Sequence, residues 1–200
     1  AFYFGLGAYT VALLDINLGV SDAFLRLLAA LVVAGGAGWL AGYILRNYRD
    51  IFFAMLSLAL SMVLYGILVK TEALGSTDGF AVSIPSFFGF APEGKDALFV
   101  LICAFGAISA VGVQYYLNST LGRLTTAIRD NEVRVEYLGY SVARAIHVKY
   151  VISACLTGAA GSLTAMALGQ VDPDSMVNWT ASGELVFVTI LSGPGSVIAP

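Results

Sequence analysis

Arg123, Arg129, Asp130, Glu132, Arg134 and Glu136 crowd into one short stretch of a chain that elsewhere carries little charge. Between them Leu121, Leu124, Ile128, Val135 and Leu138 recur at spacings of three, four and seven, which lays one apolar stripe along a helix. Ser119 or Thr120 can cap its start, and Gly139 is placed to stop it. A second helix then leads into an apolar segment through Ala145 to Tyr150. An amphipathic helix of this kind either lies on a lipid surface or docks into a partner's groove. A lipid-bound helix favours an excess of Lys and Arg on its polar face. Here Arg123, Arg129 and Arg134 are balanced by Asp130, Glu132 and Glu136, so the pattern fits a protein groove better.

Little else in the sequence could do chemistry. His147 is the lone histidine. It sits at the edge of an apolar segment with no second metal ligand or triad partner nearby, so a structural role is expected. Cys103 and Cys155 lie inside apolar stretches and read as small buried hydrophobes. No catalytic residue and no metal site is expected. No Gly-x-x-x-x-Gly-Lys-Ser/Thr run exists, so the chain should bind neither ATP nor any other cofactor by a phosphate loop. Asn118-Ser119-Thr120 and Asn178-Trp179-Thr180 match the glycosylation pattern and are taken as chance matches.

The elements that must hold the charged stretch are apolar. Of 200 residues, 58% are hydrophobic and 12% charged, and the mean hydropathy is +0.85. Soluble domains carry roughly 25% charged residues and cannot hide this much apolar surface in one core. A bilayer removes the conflict, because lipid faces the apolar side chains. A net charge of −3 with no basic run excludes a nucleic-acid partner. The expected fold is therefore all-α, a polytopic transmembrane helix bundle with an amphipathic helix on one side.

Six apolar segments are expected: Ala1 to Leu14, Ala23 to Leu45, Ile51 to Val69, Ala97 to Leu117, about His147 to Leu168, and Glu184 to Leu191. The second would reach roughly 34 Å at about 1.5 Å per residue, enough for a core of about 30 Å. The first is too short to span. The chain opens on Ala1 inside an apolar stretch and stops at Pro200 after another, so it is expected to be a fragment of a single transmembrane domain, 1–200, lacking at least one helix at each end. Putting 46–50 and 118–149 in the cytoplasm gathers Arg46, Arg49, Arg123, Arg129, Arg134, Arg144 and Lys149 inside, against Arg26, Lys70 and Lys95 outside. The positive-inside rule favours that arrangement. Loops 15–22, 71–95 and 170–183 then face the exterior.

Two places resemble broken helices, Gly5-Leu6-Gly7 and Ser192 to Gly195. Irregular backbone at membrane depth must be buried in protein or line a cavity, and in transporters it can mark the solute path. Close packing of helices through small residues explains the same glycines equally well. No charge falls in the middle of a span, which argues against an ion-coupled carrier. A pathway would then be lined by backbone at helix breaks, small polar side chains and aromatics. Tyr9, Ser57 and Ser61 are the candidates. Glu184 is expected to open the last helix, where a carboxylate suits the dipole.

At this point the sequence resembles a known family. Gly122-Arg123-Leu124-Thr125-Thr126-Ala127-Ile128-Arg129-Asp130-Asn131-Glu132, followed by Leu138-Gly139-Tyr140, is similar to the cytoplasmic loop of branched-chain amino-acid ABC permeases of the LivM type. Other pieces follow in the family's order: Gly5-Leu6-Gly7-Ala8-Tyr9, Phe53 to Ala59, Asp78-Gly79 with Ile84-Pro85, Val151 to Ala154 through Ala159 to Leu163, Trp179 with Ser182-Gly183-Glu184, and Ile190 to Ser196. Two departures stand out. The family's usual Arg-Gly reads Arg49-Asp50 here, and its common Gly-Gly near the end reads Ser192-Gly193.

The resemblance implies the pathway-forming subunit of an ATP-driven importer in the bacterial cytoplasmic (inner) membrane. Its implied partners are two ABC ATPase subunits, which bind the ATP and Mg, a second permease subunit, a periplasmic or extracellular solute-binding protein, and lipid. The loop 118–146 would be the ATPase-coupling element, with Gly122, Arg123, Ala127, Arg129, Asp130, Asn131, Glu132 and Gly139 as its key residues. Branched-chain amino acids would be the cargo, with urea or short amides, carried by close relatives, as the alternative. A stand-alone channel or carrier is the competing reading. A membrane-embedded enzyme lacks any catalytic cluster to support it.

Overall fold

A computed structural model describes residues 1–71, 74–83, 85–86 and 96–192, apart from the side chains of Asp50 and Ser192. The element order is α1 (Phe2–Leu18), α2 (Ala23–Leu45), α3 (Asp50–Lys70), β1 (Phe80–Ala81), α4 (Asp96–Asn118), α5 (Thr120–Asp130), α6 (Glu132–Tyr137), α7 (Val142–Leu168), β2 (Gln170–Val171), α8 (Pro173–Met176) and α9 (Trp179–Ser192). The chain is an all-α polytopic bundle. Helices α2, α4 and α7, with Ile51–Lys70 of α3, are long and apolar enough to cross a membrane.

The kernel is α1, α2 and α7, and small residues decide it. Ala30, Ala34, Gly38 and Gly42 recur every four residues and form one buried face of α2. That face meets Ala154 and Gly158 of α7: a Cβ added at Gly38 would strike the Ala154 methyl, and one at Gly158 would strike the Ala34 methyl. Helix α1 packs against both α2 and α7. Added Cβ atoms at Gly7 and Gly161 would overlap the backbones of Gly158 and Phe4 respectively. In lipid no hydrophobic force drives helices together, so close backbone approach and the dispersion it permits must do so.

Around this kernel α3, α4 and α9 present broad apolar faces. Phe99, Val100, Ile108 and Val111 of α4 are exposed, as are Met55, Leu58 and Val63 of α3. Only 6% of the spanning window of α4 is buried, against 44% for α7. Helix α7 is thus the axis of the bundle, and α4 stands at its rim.

Several expectations need correction. Gly5-Leu6-Gly7 is not a break: α1 runs through it without interruption, and both glycines are buried. Their lack of a side chain serves packing, against Val177 for Gly5 and Gly158 for Gly7. Helix α1 also continues to Leu18, into the expected loop, and ends on Gly19 in the left-handed conformation. Helix α7 begins at Val142, ahead of the expected entry through Ala145 to Tyr150. The single amphipathic helix expected over 119–138 is two helices, because Asn131 is extended and serves both as the end of α5 and as the cap of α6. Of the expected stripe, Val135 is buried but Leu121 and Leu138 are exposed. Helix α9 starts at Trp179, so Glu184 lies inside it and does not open it. Of the expected break at Ser192 to Gly195, Ser192 still belongs to α9 and the rest, like the Ile84 part of the loop motif, falls outside the described residues.

The segment between α7 and α9 was expected to be a plain external loop, and it is not. After Gly169 the chain turns back. Val171 pairs with Phe80 in a two-residue antiparallel ladder, and the single turn α8 follows. Tyr65 Oη donates to Asp174 Oδ1 at 2.6 Å. Ser61, near the middle of α3, donates from Oγ to the Val177 carbonyl at 2.8 Å. The descent therefore reaches well down α3 before α9 begins. Non-helical backbone at such a depth requires protein partners, and Ser61 supplies one.

Candidate functional site

Charge in the described residues concentrates at the two ends of the bundle. At one end Arg26 is completely buried. Its guanidinium donates to Asp15 Oδ1 at 2.5 Å, to the Val20 carbonyl at 2.7 Å, and to Ser83 through the carbonyl at 3.1 Å and Oγ at 2.9 Å. Asp15 Oδ2 in turn accepts from the Ser83 amide at 2.7 Å. Nearby, the hydroxyls of Ser21 and Ser86 lie 2.9 Å apart, and Ser86 donates to Asp22 Oδ1 at 3.1 Å. This network ties α1, α2 and the segment around Ser83 to Ser86 into one cap. A buried arginine is tolerable only when paired and hydrogen-bonded, and Arg26 is both. Sequence reasoning placed Arg26 on an exterior edge and missed its burial. Asp15, eleven residues earlier, was the one available clue.

The opposite end holds Arg49 and the α5–α6 pair. Arg49 Nε sits 3.1 Å from both Glu132 oxygens, and Nη2 donates to Oε1 at 2.6 Å. The same guanidinium donates through Nη1 to the Arg46 carbonyl and, at 3.0 Å, to the Tyr48 carbonyl. Arg49 holds the Glu132 carboxyl below its ordinary value, chiefly through these hydrogen bonds. The loops that charge counting put on one side thus touch one another, and so do the loops put on the other side. An alternating path of helices through a membrane requires this sorting.

The coupling residues anticipated from sequence are distributed as follows. Ser119 caps α5 by accepting from the Gly122 amide at 3.3 Å. Gly122 is buried where a Cβ would overlap the backbone of Tyr116 and Leu117, so it lets α5 fold tightly against the end of α4. Arg123, Ala127, Arg129 and Asp130 are exposed along α5. Asn131 Oδ1 accepts from the Arg134 amide at 3.0 Å. Gly139 turns the chain at φ 85° before α7. Next to these charges Val133, Tyr137, Leu138 and Tyr140 stand exposed, Tyr137 at 87%. Sequence reasoning missed Arg49, because nothing local marks a partner 83 residues away.

The three pathway candidates do not converge. Ser57 and Ser61 line one cavity of about 400 Å³ between α1, α3, α7 and α9, together with Tyr3, Tyr150, Ser153 and Ser182. Tyr9 lines a separate cavity of about 440 Å³ with Thr10, Asn17, Leu64 and Leu68. Its ring stands edge-on to Phe80, and its buried hydroxyl has no hydrogen-bond partner among the described residues. In the first cavity Tyr3 donates to the Tyr150 hydroxyl at 2.9 Å, while Ser57 donates to the Ala54 carbonyl at 2.8 Å. That cavity is apolar with a scatter of hydroxyls. His147 lies at the α2–α7 contact, edge-on to Trp39, in keeping with a packing role. Among the described residues no cluster of metal-ligating side chains exists.

Apolar helices of spanning length, packed through small residues and carrying charge at their two ends, define a multi-pass membrane protein. Its sequence matches the family described as branched-chain amino acid transport system / permease component over residues 2–200, and the chain belongs to that family. It is 28% identical to the high-affinity branched-chain amino acid transport system permease protein LivM of Salmonella typhimurium, with 98% of this chain and 52% of the relative aligned. The LivM protein of Escherichia coli is 27% identical over the same shares. The chain thus spans about half the length of the curated relatives it matches. No solved structure matches it.

Proposed function

We propose that this chain forms part of the membrane pathway of an ATP-driven importer for branched-chain amino acids, as its permease subunit in a bacterial cytoplasmic membrane. The arginine-rich end faces the cytoplasm. Two ABC ATPase subunits bind and hydrolyse the ATP, a second permease subunit completes the pathway, and a periplasmic or extracellular binding protein delivers the solute. The chain itself performs no catalysis.

The observation that carries this reading is the α5–α6 surface. It combines exposed Arg123, Arg129 and Asp130 with exposed Val133, Tyr137 and Leu138, all outside the spans. A mixed charged and apolar protrusion, held by a serine cap and the Arg49–Glu132 pair, suits a groove in a partner protein better than a lipid face. The names of the LivM relatives support the choice of cargo. The cavity lined by Ser57 and Ser61 is the candidate path, since its apolar wall suits an aliphatic side chain and its hydroxyls suit polar groups.

Reconstitution of the full-length permease with its partner subunits tests this. Leucine and valine, presented on the binding protein, should stimulate ATP hydrolysis and accumulate inside the vesicles. Stimulation by urea or a short amide in place of the amino acids would move the cargo assignment. Solute flux through the full-length permease alone, without ATPase subunits, would defeat the proposal in favour of a channel.

A further inference from the structure

Among the described residues, Arg49 is the one whose side chain joins the α5–α6 protrusion to the α2–α3 hairpin through a bidentate contact. We propose that Arg49 is a positioning residue that carries movement of the protrusion into the spans, by holding Glu132 while it ties down the end of α2. This inference rests on the permease reading above.

The geometry gives the pair this role. Glu132 is the first residue of α6, directly after the extended Asn131 at which α5 and α6 part. It therefore sits at the joint about which the two short helices can swing. Arg49 is the cap residue of α3, and its guanidinium also donates to the Arg46 and Tyr48 carbonyls at the end of α2. One planar side chain thus joins the joint, the end of one span and the start of the next. A bidentate guanidinium–carboxylate contact fixes orientation as well as distance. Val135, one turn beyond Glu132, is buried, so α6 is seated on the bundle as well as pinned to it.

A stabilising role alone does not account for the arrangement. Both side chains are about one-third exposed, and exposed ion pairs contribute little to stability. The linkage they make is what distinguishes them. A pull on α5–α6 reaches α2 and α3 through Arg49, whereas the covalent route to α3 runs back through α4 and the 71–95 segment.

Three variants of the full-length protein in its complete assembly test the proposal: Arg49→Glu, Glu132→Arg and the double exchange. Each single change should lower the solute imported per ATP hydrolysed on the order of tenfold, a typical size for coupling between sites. The ATPase subunits should stay bound and the melting temperature should hardly move. The double exchange re-forms the ion pair but, with a carboxylate at position 49, not the donation to the Arg46 and Tyr48 carbonyls, so it should restore part of the ratio. Wild-type ratios in both single variants, a double exchange no better than the singles, or loss of the ATPase subunits would each overturn it. Hydrogen exchange on the full-length permease alone in lipid nanodiscs gives a readout independent of transport. Glu132→Arg should speed exchange in the first turn of α3, and Arg49→Glu should speed it in 132–137. Unchanged exchange in both places sinks the linkage. A wild-type assembly that fails to couple, with exchange changing as expected, would sink the permease reading instead.

Discussion

Gly7 of α1 and Gly158 of α7 meet backbone to backbone, with no room between them for a single carbon. At Gly7 the atoms in the way are main-chain atoms of Gly158, and at Gly158 the nearest is the Ala34 methyl, so no rotamer change can relieve an added methyl. Gly7→Leu or Gly158→Leu should therefore cost about 3 kcal/mol or more, at the upper end of overpacking effects. Thermal melting in detergent and the yield of monodisperse protein measure it. Gly36 is the control. It lies exposed on α2 with open space where a Cβ would be, and Gly36→Leu should melt as wild type does. Equal losses at Gly36 and Gly7 would contradict the packing argument.

Ser61 satisfies the Val177 carbonyl where the chain between α7 and α9 lies beside the middle of α3. Ser61→Ala leaves a buried acceptor unpaired and should cost about 1–2 kcal/mol. Ser61→Thr keeps the hydroxyl and should cost less. If the segment from Asp172 to Val177 instead sits in the aqueous phase, water will replace the serine, and the alanine variant will melt at the wild-type temperature.

These two contacts also mark what could be read from the residue order. Helical spans follow from runs of apolar residues, and charge asymmetry sorts their ends, because both signals are local. The retreat of the chain after Gly169 is not legible in this way, since Asp172, Asp174 and Ser175 look like any polar loop. Their depth depends on Tyr65 and Ser61, more than a hundred residues earlier. At Gly5 and Gly7 local reading left two explanations even, and only the approach of Val177 to Gly5 and of α7 to Gly7 separates them. In the charged stretch the residue types were readable, but Asn131 passed as one more polar position although it divides the helix. Arg49 and Tyr9 depend on distant neighbours and carry no local mark of their surroundings.

Arg26 has no exposure, and its charge is met by Asp15 and by oxygens of Val20 and Ser83. Asp15→Asn removes the countercharge and leaves the guanidinium buried. A loss of about 3–5 kcal/mol is expected, as when one partner of a buried pair is deleted. Replacing both residues, Asp15→Leu with Arg26→Leu, should recover part of that loss, since no buried charge remains. Melting curves of the three proteins compare them directly. A double variant less stable than Asp15→Asn would show that the oxygens around Arg26 need its donors more than its charge needs Asp15.

The Arg49–Glu132 pair should give α6 a pH dependence of defined sign. Arg49 lowers the Glu132 carboxyl below its ordinary value of 4.5, so the folded protein binds that proton less readily than the unfolded chain does. Its contribution is then fully present above about pH 4.5, the ordinary glutamate range. It fades as pH falls through the lowered folded value, where protonation releases the guanidinium. Hydrogen exchange across 132–137, corrected for the intrinsic effect of pH, should show protection falling in that acid window. Glu132→Gln has no such proton to bind and should lose this component, with lower protection that stays level across the window. The same acid-dependent fall in the glutamine variant would assign it to another group and remove Glu132 as its source.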